Sequence, residues 1–586
     1  MDNDTLKRFA RAFDSLQTYL RSALTSRVGL FLVPFVFLLT LIGIPLAFFF
    51  WSSLWTTTPG FGGEVTLSGY ETLLTHPDVH QTLWNTAILT IFGTLVALVI
   101  GISAVIFTLK MDLPRWVQST VSALMIVQFL IPDFIQGLAW DFYLDPYGPI
   151  NRILVLFPMI NEPVVSANNI WTIAFIFGTH YAGLVYLLTS GAARSIPPQL
   201  EEMSLISGAG RRTIFARIDL PLIVPSLLVA TVIVFVRGVQ SFSLPLVLGL
   251  QNQVYTVASL MYLELSEFPV NFTFVGSLGV TILFVSLWLL AIQRRLVGSD
   301  ARYETITGHG EHTDSFRYYH NNYFTVSFVL LLVIVYILPI TMIFIGSLQR
   351  AWVGFRFEFV QWSLEGYRGL LFGTWTDVFQ ESLLNSAIVG VATGTLAIIL
   401  GLIISYLSVK TDWGGGTVLG YLSYAPIAIP GIVLASALQW LILEYNDLLG
   451  FLYGSLIIIA IAFAAKFLVY GVRAANSSLR SIGSNLDEIA RVSGANRSVL
   501  LREIYAPLIA PGLLAGFIII VVDTTKSLSI PIILGGNQDM IVQSAIWYFI
   551  SQGELNVAAA YSVLLISGVT LLYMLAYRLG FDLTSI

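Results

Sequence analysis

Cysteine is absent from all 586 positions. That excludes disulfides, thiolate metal sites and palmitoylation, and it leaves the redox compartment open. Charge is scarce too: 11% of residues are Asp, Glu, Lys or Arg while 56% are hydrophobic, a balance outside that of soluble globular domains. The net charge of −5 is spread over a long chain, and no basic tract suits nucleic acid. The leading residues contain no short apolar core with a small-residue cleavage site, so no signal peptide is expected. No G-x-x-x-x-G-K-S/T phosphate loop occurs; SGAGRRT at 207–213 and DWGGGTVLG at 412–420 lack both the spacing and the lysine.

What is present is a series of long apolar runs. A backbone in lipid must satisfy its own hydrogen bonds, and about 20 helical residues cross a hydrocarbon core of about 30 Å. Short alternating strands, which a barrel needs, do not appear. Spans are predicted near 30–54, 83–108, 116–140, 170–192, 222–249 and 271–293, then near 324–348, 383–408, 416–443, 453–475, 509–534 and 557–579. The fold class is therefore all-α and polytopic, with about twelve transmembrane helices. Leu6, Phe9, Phe13, Leu16, Leu20 and Leu24 recur at helical spacing among Lys7, Arg8, Arg11 and Arg21, the pattern of an amphipathic helix on a membrane face. The domain reading is a cytoplasmic N-terminal segment 1–29, a six-helix repeat 30–293, a solvated linker 294–323 and a second repeat 324–586.

Two tandem halves follow from internal matches. LWNTAILTIFGTLVALVIG at 83–101 answers LLNSAIVGVATGTLAIILG at 383–401, so Asn85 pairs with Asn385 and Gly101 with Gly401. LSGY at 67–70 matches LEGY at 364–367, and Pro245 with Gly249 matches Pro531 with Gly535. Such an order of matches describes a parallel repeat about an axis along the membrane normal. Basic residues orient it: Arg194, Arg211, Arg212 and Arg217, the linker arginines, Lys110, Arg115 and Lys410 share one side, while 55–82 has neither Lys nor Arg. By the positive-inside rule both termini are cytoplasmic, although Arg350, Arg356 and Arg368 lie outside.

Two polar segments interrupt the apolar pattern on that cytoplasmic side. LEEMSLISGAGRRTIFARIDLP at 200–221 is echoed by LDEIARVSGANRSVLLREIYAP at 486–507. Pro197 and Pro198 suit one helix start, and Ser484 with Asp487 suits the other. Leu200, Met203 and Ile206 share a face, as do Leu486, Ile489 and Val492, while Glu201, Glu202, Asp487 and Glu488 are expected in water. Gly208 and Gly494 stand where a left-handed residue closes each helix, and Pro221 and Pro507 mark re-entry into the membrane. A short amphipathic helix of this kind fits a groove on another protein, and the alternative is a helix resting on lipid headgroups.

These segments resemble the cytoplasmic loop of ABC importer membrane subunits: Glu-Ala-Ala, three residues, Gly, nine residues, Ile, one residue, Leu-Pro. Glu202, Gly208, Ile218, Leu220 and Pro221 fit, as do Glu488, Ala490, Gly494, Ile504 and Pro507; Met203, Ser204, Ile489 and Ala506 depart from the pattern. The layout is similar to fused permeases of the ferric-iron, thiamine and aminoethylphosphonate type. VRGVQSFSLPLVLG at 236–249 and TTKSLSIPIILGG at 524–536 look most like the ferric-iron branch, with Ser243 and Ser527 where that branch usually carries an acid. The resemblance implies a type I permease fold. Glu201, Glu202, Met203, Ile206 and Gly208, with Asp487, Glu488, Ile489, Val492 and Gly494, would couple to two copies of a cytoplasmic ATPase carrying ATP and Mg. A solute-binding protein would deliver substrate, most simply ferric iron, with thiamine, phosphonate or polyamine as alternatives. The chain itself would bind no cofactor or metal and be no enzyme.

Charge within the spans marks candidates for a pathway. Arg237, Asp523 and Lys526 interrupt the fifth span of each half, where ionic side chains cost a few kcal/mol and are functional suspects; Gln240 joins them. Arg237 and Asp523 match in the repeat, which allows a pathway pair, a structural pair, or Asp523 paired to Lys526. An ion-gradient transporter is the competing class, and it needs a carboxylate relay that is scarcely represented. His76 and His80 flank Asp78 in an outer loop and are weak metal candidates, as are His309, His312 and His320; His180 is expected to be an interior histidine with a hydrogen-bond partner.

Overall fold

The computed structural model of the chain describes residues 27–57, 62–297, 322–356, 358–411, 413–480, 482, 505–536 and 539–578. Nearly all of the amphipathic segment 1–29, most of the linker 294–323, and the second polar segment with Asp487, Glu488, Ile489, Val492 and Gly494 lie outside the described residues. The first half contains α1 (Val28–Ser52), α2 (Pro77–Lys110), α3 (Arg115–Leu130), α4 (Asp133–Leu144), α5 (Ile170–Arg194), α6 (Pro198–Ile206), α7 (Arg211–Val239), α8 (Ser243–Gly249), α9 (Val257–Ser266) and α10 (Phe272–Val297). The second contains α11 (Tyr323–Ser347), α12 (Thr376–Val409), α13 (Gly414–Leu422), α14 (Gly431–Glu444), α15 (Leu456–Arg480), α16 (Ala506–Lys526), α17 (Pro531–Leu534), α18 (Val542–Ser551) and α19 (Leu555–Arg578). Among the described residues ten helices are long and apolar enough to cross a membrane, or twelve where each of two bent pairs counts as one span.

Those bent pairs correct the expectation of straight third and ninth spans at 116–140 and 416–443. Arg115–Leu130 and Asp133–Leu154 meet at 106°, and Gly414–Ala428 meets Gly431–Glu444 at 101°. Pro132 and Pro430 cause both breaks. Proline has no N–H for the helical ladder, and its ring pushes the preceding residue out of the helical region. Ile131 and Ile429 accordingly have ψ of 131° and 116°.

The fifth spans also differ from the continuous runs expected at 222–249 and 509–534. The helices stop at Val239 and Lys526, and the short α8 and α17 follow. At its other end α7 begins at Arg211, ten residues before Pro221. A π turn at Phe215–Asp219 reroutes the backbone bonds there, so the proline sits inside the helix rather than at its entry.

Side-chain contacts repeat between halves in the register of the sequence matches. Asn85 Nδ2 donates to Tyr255 O at 3.0 Å, and Asn385 Nδ2 donates to Met540 O at 3.0 Å. Thr86 Oγ1 accepts from Val257 N at 3.0 Å where Ser386 Oγ accepts from Val542 N at 2.8 Å. The hydroxyls of Ser53 and Tyr70 meet at 2.8 Å, as do those of Ser347 and Tyr367. A Cβ at Gly401 would collide with the backbone of Gly471; glycine there lets α12 and α15 pack backbone to backbone, as small residues do between membrane helices.

The halves interlock rather than stand side by side. The first span of each packs on the broken pair of the other: Phe49 of α1 lies 4.9 Å from Trp440 of α14 between ring centroids, and Phe142 of α4 occupies the space beside Gly346 of α11. Tyr336 Oη of α11 donates to Thr179 O at 2.9 Å. The seam between halves is thereby built largely from α1 against α12 and α14 and from α4 against α11, with side chains of α7 and α16 reaching across it.

Candidate functional site

Helix breaks place polar groups at this seam. The last carbonyls of an interrupted helix have no partner within it and must find donors elsewhere. Lys526 Nζ donates to Phe129 O at 2.6 Å, at the end of α3. Gln240 Nε2 donates to Ala428 O at 3.1 Å and Ile427 O at 3.4 Å, ahead of the break before α14. Both bonds cross from one half to the other.

Arg237 and Asp523, expected deep in the fifth spans, lie instead in the last turns of α7 and α16. Cations suit that position, because the helix dipole is negative at its C-terminus. Arg237 Nη2 donates to the Tyr470 hydroxyl at 3.1 Å, and Asp523 is near enough to act electrostatically on both groups. The ion pair that Asp523 makes is with Lys526, at 3.9 Å. Lys526 also sits 4.0 Å above the Phe129 ring.

The structure adds residues that the sequence reading missed. Asp133 opens α4 and accepts a bond from Phe134 N at 3.0 Å. Lys466 of α15 reaches Ser527 Oγ at 3.4 Å. Each is an isolated charge in an apolar run, which was sufficient signal to single it out. His180 is buried and its Nδ1 lies 2.7 Å from Gln136 Oε1, the interior histidine expected, yet it faces this same cluster. His76 Nδ1 and Asp78 Oδ2 are 3.7 Å apart and largely exposed, while His80 Nε2 turns to Leu74 O at 2.8 Å.

The polar segment after α5 is the second feature. Helix α6 closes as expected: Gly208 has φ of +83°, and Ala209 N and Gly208 N bond Ser204 O and Leu205 O, each at 2.9 Å, which is a Schellman cap. Leu200, Met203 and Ile206 are 46%, 66% and 86% exposed, so the apolar ridge is uncovered. Glu202 is exposed, but Glu201 is not, contrary to the expectation that both stand in water. Glu201 is buried against the ammonium of Lys110 at the end of α2. Asp219 of α7 lies 3.8 Å from the same ammonium and is fully buried. Helical spacing turns residue 201 inward while 200, 203 and 206 turn outward. Burial and a hydrogen bond with Asp219 push the Glu201 carboxyl up to about 7, against the opposing pull of Lys110. In the second half Lys410 Nζ bonds Ile482 O at 3.1 Å and lies 5.4 Å from the Tyr505 ring.

A family model matches this chain twice, at residues 93–298 and 397–584, and its description is binding-protein-dependent transport system inner membrane component. The chain belongs to that family. It is a multi-pass ABC importer permease with two permease repeats in one polypeptide. The permease is 27% identical over 506 residues to the ferric transport system permease protein FbpB of Actinobacillus pleuropneumoniae, spanning 86% of this chain and 71% of that protein. It is 26% identical over 449 residues to the putative ferric transport system permease protein FbpB 1 of Haemophilus influenzae, spanning 76% and 69%. Half of the permease (50%) also superposes on 98% of a chain in the crystal structure of a bacterial alginate ABC transporter in complex with alginate pentasaccharide-bound periplasmic protein, at 19% identity and a TM-score of 0.35.

Proposed function

We propose that α6 and the segment around Asp487, Glu488, Ile489, Val492 and Gly494 are the two handles by which a pair of cytoplasmic ATPase subunits drives this permease. The uncovered ridge of Leu200, Met203 and Ile206 carries the reading. Glu201 roots that ridge to the ends of α2 and α7 through Lys110 and Asp219, so a push on α6 is transmitted to two membrane helices. Glu202, Met203, Ile206 and Gly208 face or shape the docking surface. ATP and Mg belong to the partner, and this chain has no ATPase site or cofactor of its own. Both termini, the linker and the handles are cytoplasmic.

The seam holding Arg237, Gln240, Asp523 and Lys526 is the translocation pathway, and rocking of one half against the other opens it alternately. A solute-binding protein delivers cargo from the far side. The ferric transport relatives support ferric iron as that cargo.

A cysteine-free chain makes the test direct. Ile206→Cys supplies a unique thiol. A membrane-impermeant maleimide should label it in inside-out vesicles and not in right-side-out ones, and bound ATPase should protect it. Labelling from the outside, or labelling that the ATPase leaves unchanged, would sink the proposal.

A further inference from the structure

Arg237, Lys466 and Lys526 bring three cations to the seam against two carboxylates, Asp133 and Asp523. One ion pair joins them, Lys526 to Asp523 at 3.9 Å. Arg237 bonds a neutral hydroxyl at 3.1 Å, and Lys466 a serine at 3.4 Å with the Phe467 ring 5.7 Å away. Among the described residues neither has a carboxylate at ion-pair distance. Both lie on membrane-spanning helices and are only partly buried. Asp523 acts on both, and Asp133 on Lys466, only from beyond contact distance, and a cation matched at that longer range keeps part of its desolvation cost in a membrane-spanning segment.

Packing does not require these charges. In repeat register Gln240 stands where Lys526 does and forms the same inter-half bond while neutral. His180 stands where Lys466 does, and Arg237 where Asp523 does. Gly431, after Pro430, takes the place of Asp133 after Pro132, and a Cβ at Gly431 would overlap the Lys466 ammonium. The cationic set thus occurs once, off the pseudo-symmetry, with space made for it.

We infer that this cluster binds an oxyanion, the carboxylate or phosphate group of a solute, with Arg237 and Lys466 as its charged donors. Arginine presents planar paired donors suited to such groups, and the lysine adds a point charge. The inference rests on reading the seam as the pathway. It disfavours the cationic cargoes, polyamine and thiamine, and it requires ferric iron to cross as an anionic chelate rather than as a bare cation.

The test uses the purified full-length chain in phosphatidylcholine nanodiscs, titrated with citrate, inorganic phosphate or spermidine at matched ionic strength. Citrate or phosphate should bind and spermidine should not. Lys466→Gln and Arg237→Gln, each checked for native helicity by circular dichroism, should weaken that binding about tenfold or more, and Lys466→Arg should largely restore it. Absence of binding to the folded wild-type chain, unchanged affinity in both glutamine variants, or equal binding of spermidine would overturn the inference. No ATPase is needed, so such a failure is distinct from failure of the maleimide test of the handles.

Discussion

Lys526 and Gln240 do one job from opposite halves of the permease. Lys526 reaches Phe129 O at 2.6 Å and Gln240 reaches Ala428 O at 3.1 Å, each supplying a donor to the chain just ahead of a proline break. Alternating access needs the halves to move apart on one side, and these are bonds that such movement must stretch.

Removing both tethers should loosen the seam. Each hydrogen bond is worth about 1 kcal/mol, or up to about 3 with a charged donor. Gln240→Leu with Lys526→Met is therefore expected to lower the apparent melting temperature in detergent and to raise ATP hydrolysis by the assembled complex in the absence of binding protein. A double variant with unaltered melting and unaltered basal hydrolysis would show the bonds to be incidental.

Glu201 sets a pH dependence with a definite sign. Its folded-state value near 7 lies above the ordinary 4.5, so the folded chain keeps a proton that the unfolded chain releases. The contribution of this cluster to stability is full below about pH 4.5 and is lost as the pH rises to about 7. Thermal unfolding should show that decline, and Glu201→Gln, neutral throughout, should flatten it. An equal slope in the variant would assign the dependence to other groups.

The cap of α6 tests the handle geometrically. Gly208 has φ of +83° and open space around its missing Cβ, so a substitution there meets backbone strain alone. Gly208→Val should cost about 1–2 kcal/mol and reduce copurification of the ATPase, whereas Gly208→Asn, which tolerates the left-handed region, should retain it. Equal recovery of the ATPase with both variants would argue against a shaped docking surface.

Arg237 and Asp523 are related by the repeat, but Asp523 takes Lys526 as its ion-pair partner and Arg237 takes Tyr470. Exchanging the two, Arg237→Asp with Asp523→Arg, would set a new cation beside Lys526. With ferric iron as the proposed cargo, uptake of the radiolabelled ion should stay lost in the double variant, as in either single one. Recovery of uptake would restore the simpler view of an interchangeable structural pair.

Much of this is legible in the sequence. Twelve spans, the repeat, the matched Asn85 and Asn385, the ridge of α6 and the left-handed Gly208 all follow from local rules of period, length and turn chemistry. Asp133 and Lys466 were legible in principle, each a lone charge in an apolar run, but nothing local tied them to Arg237. The inward turn of Glu201 was not legible, since its partners Lys110 and Asp219 come from two other helices.

Hydropathy and repeat matching determined by themselves that this chain crosses a membrane as two similar halves, because burial in lipid and helical period act residue by residue. Where the spans break, which half each first helix leans on, and which charges meet at the seam were decided only by tertiary structure. Those outcomes depend on which orphan carbonyl finds which donor across the interface, and the partners lie as many as 397 residues apart in the chain.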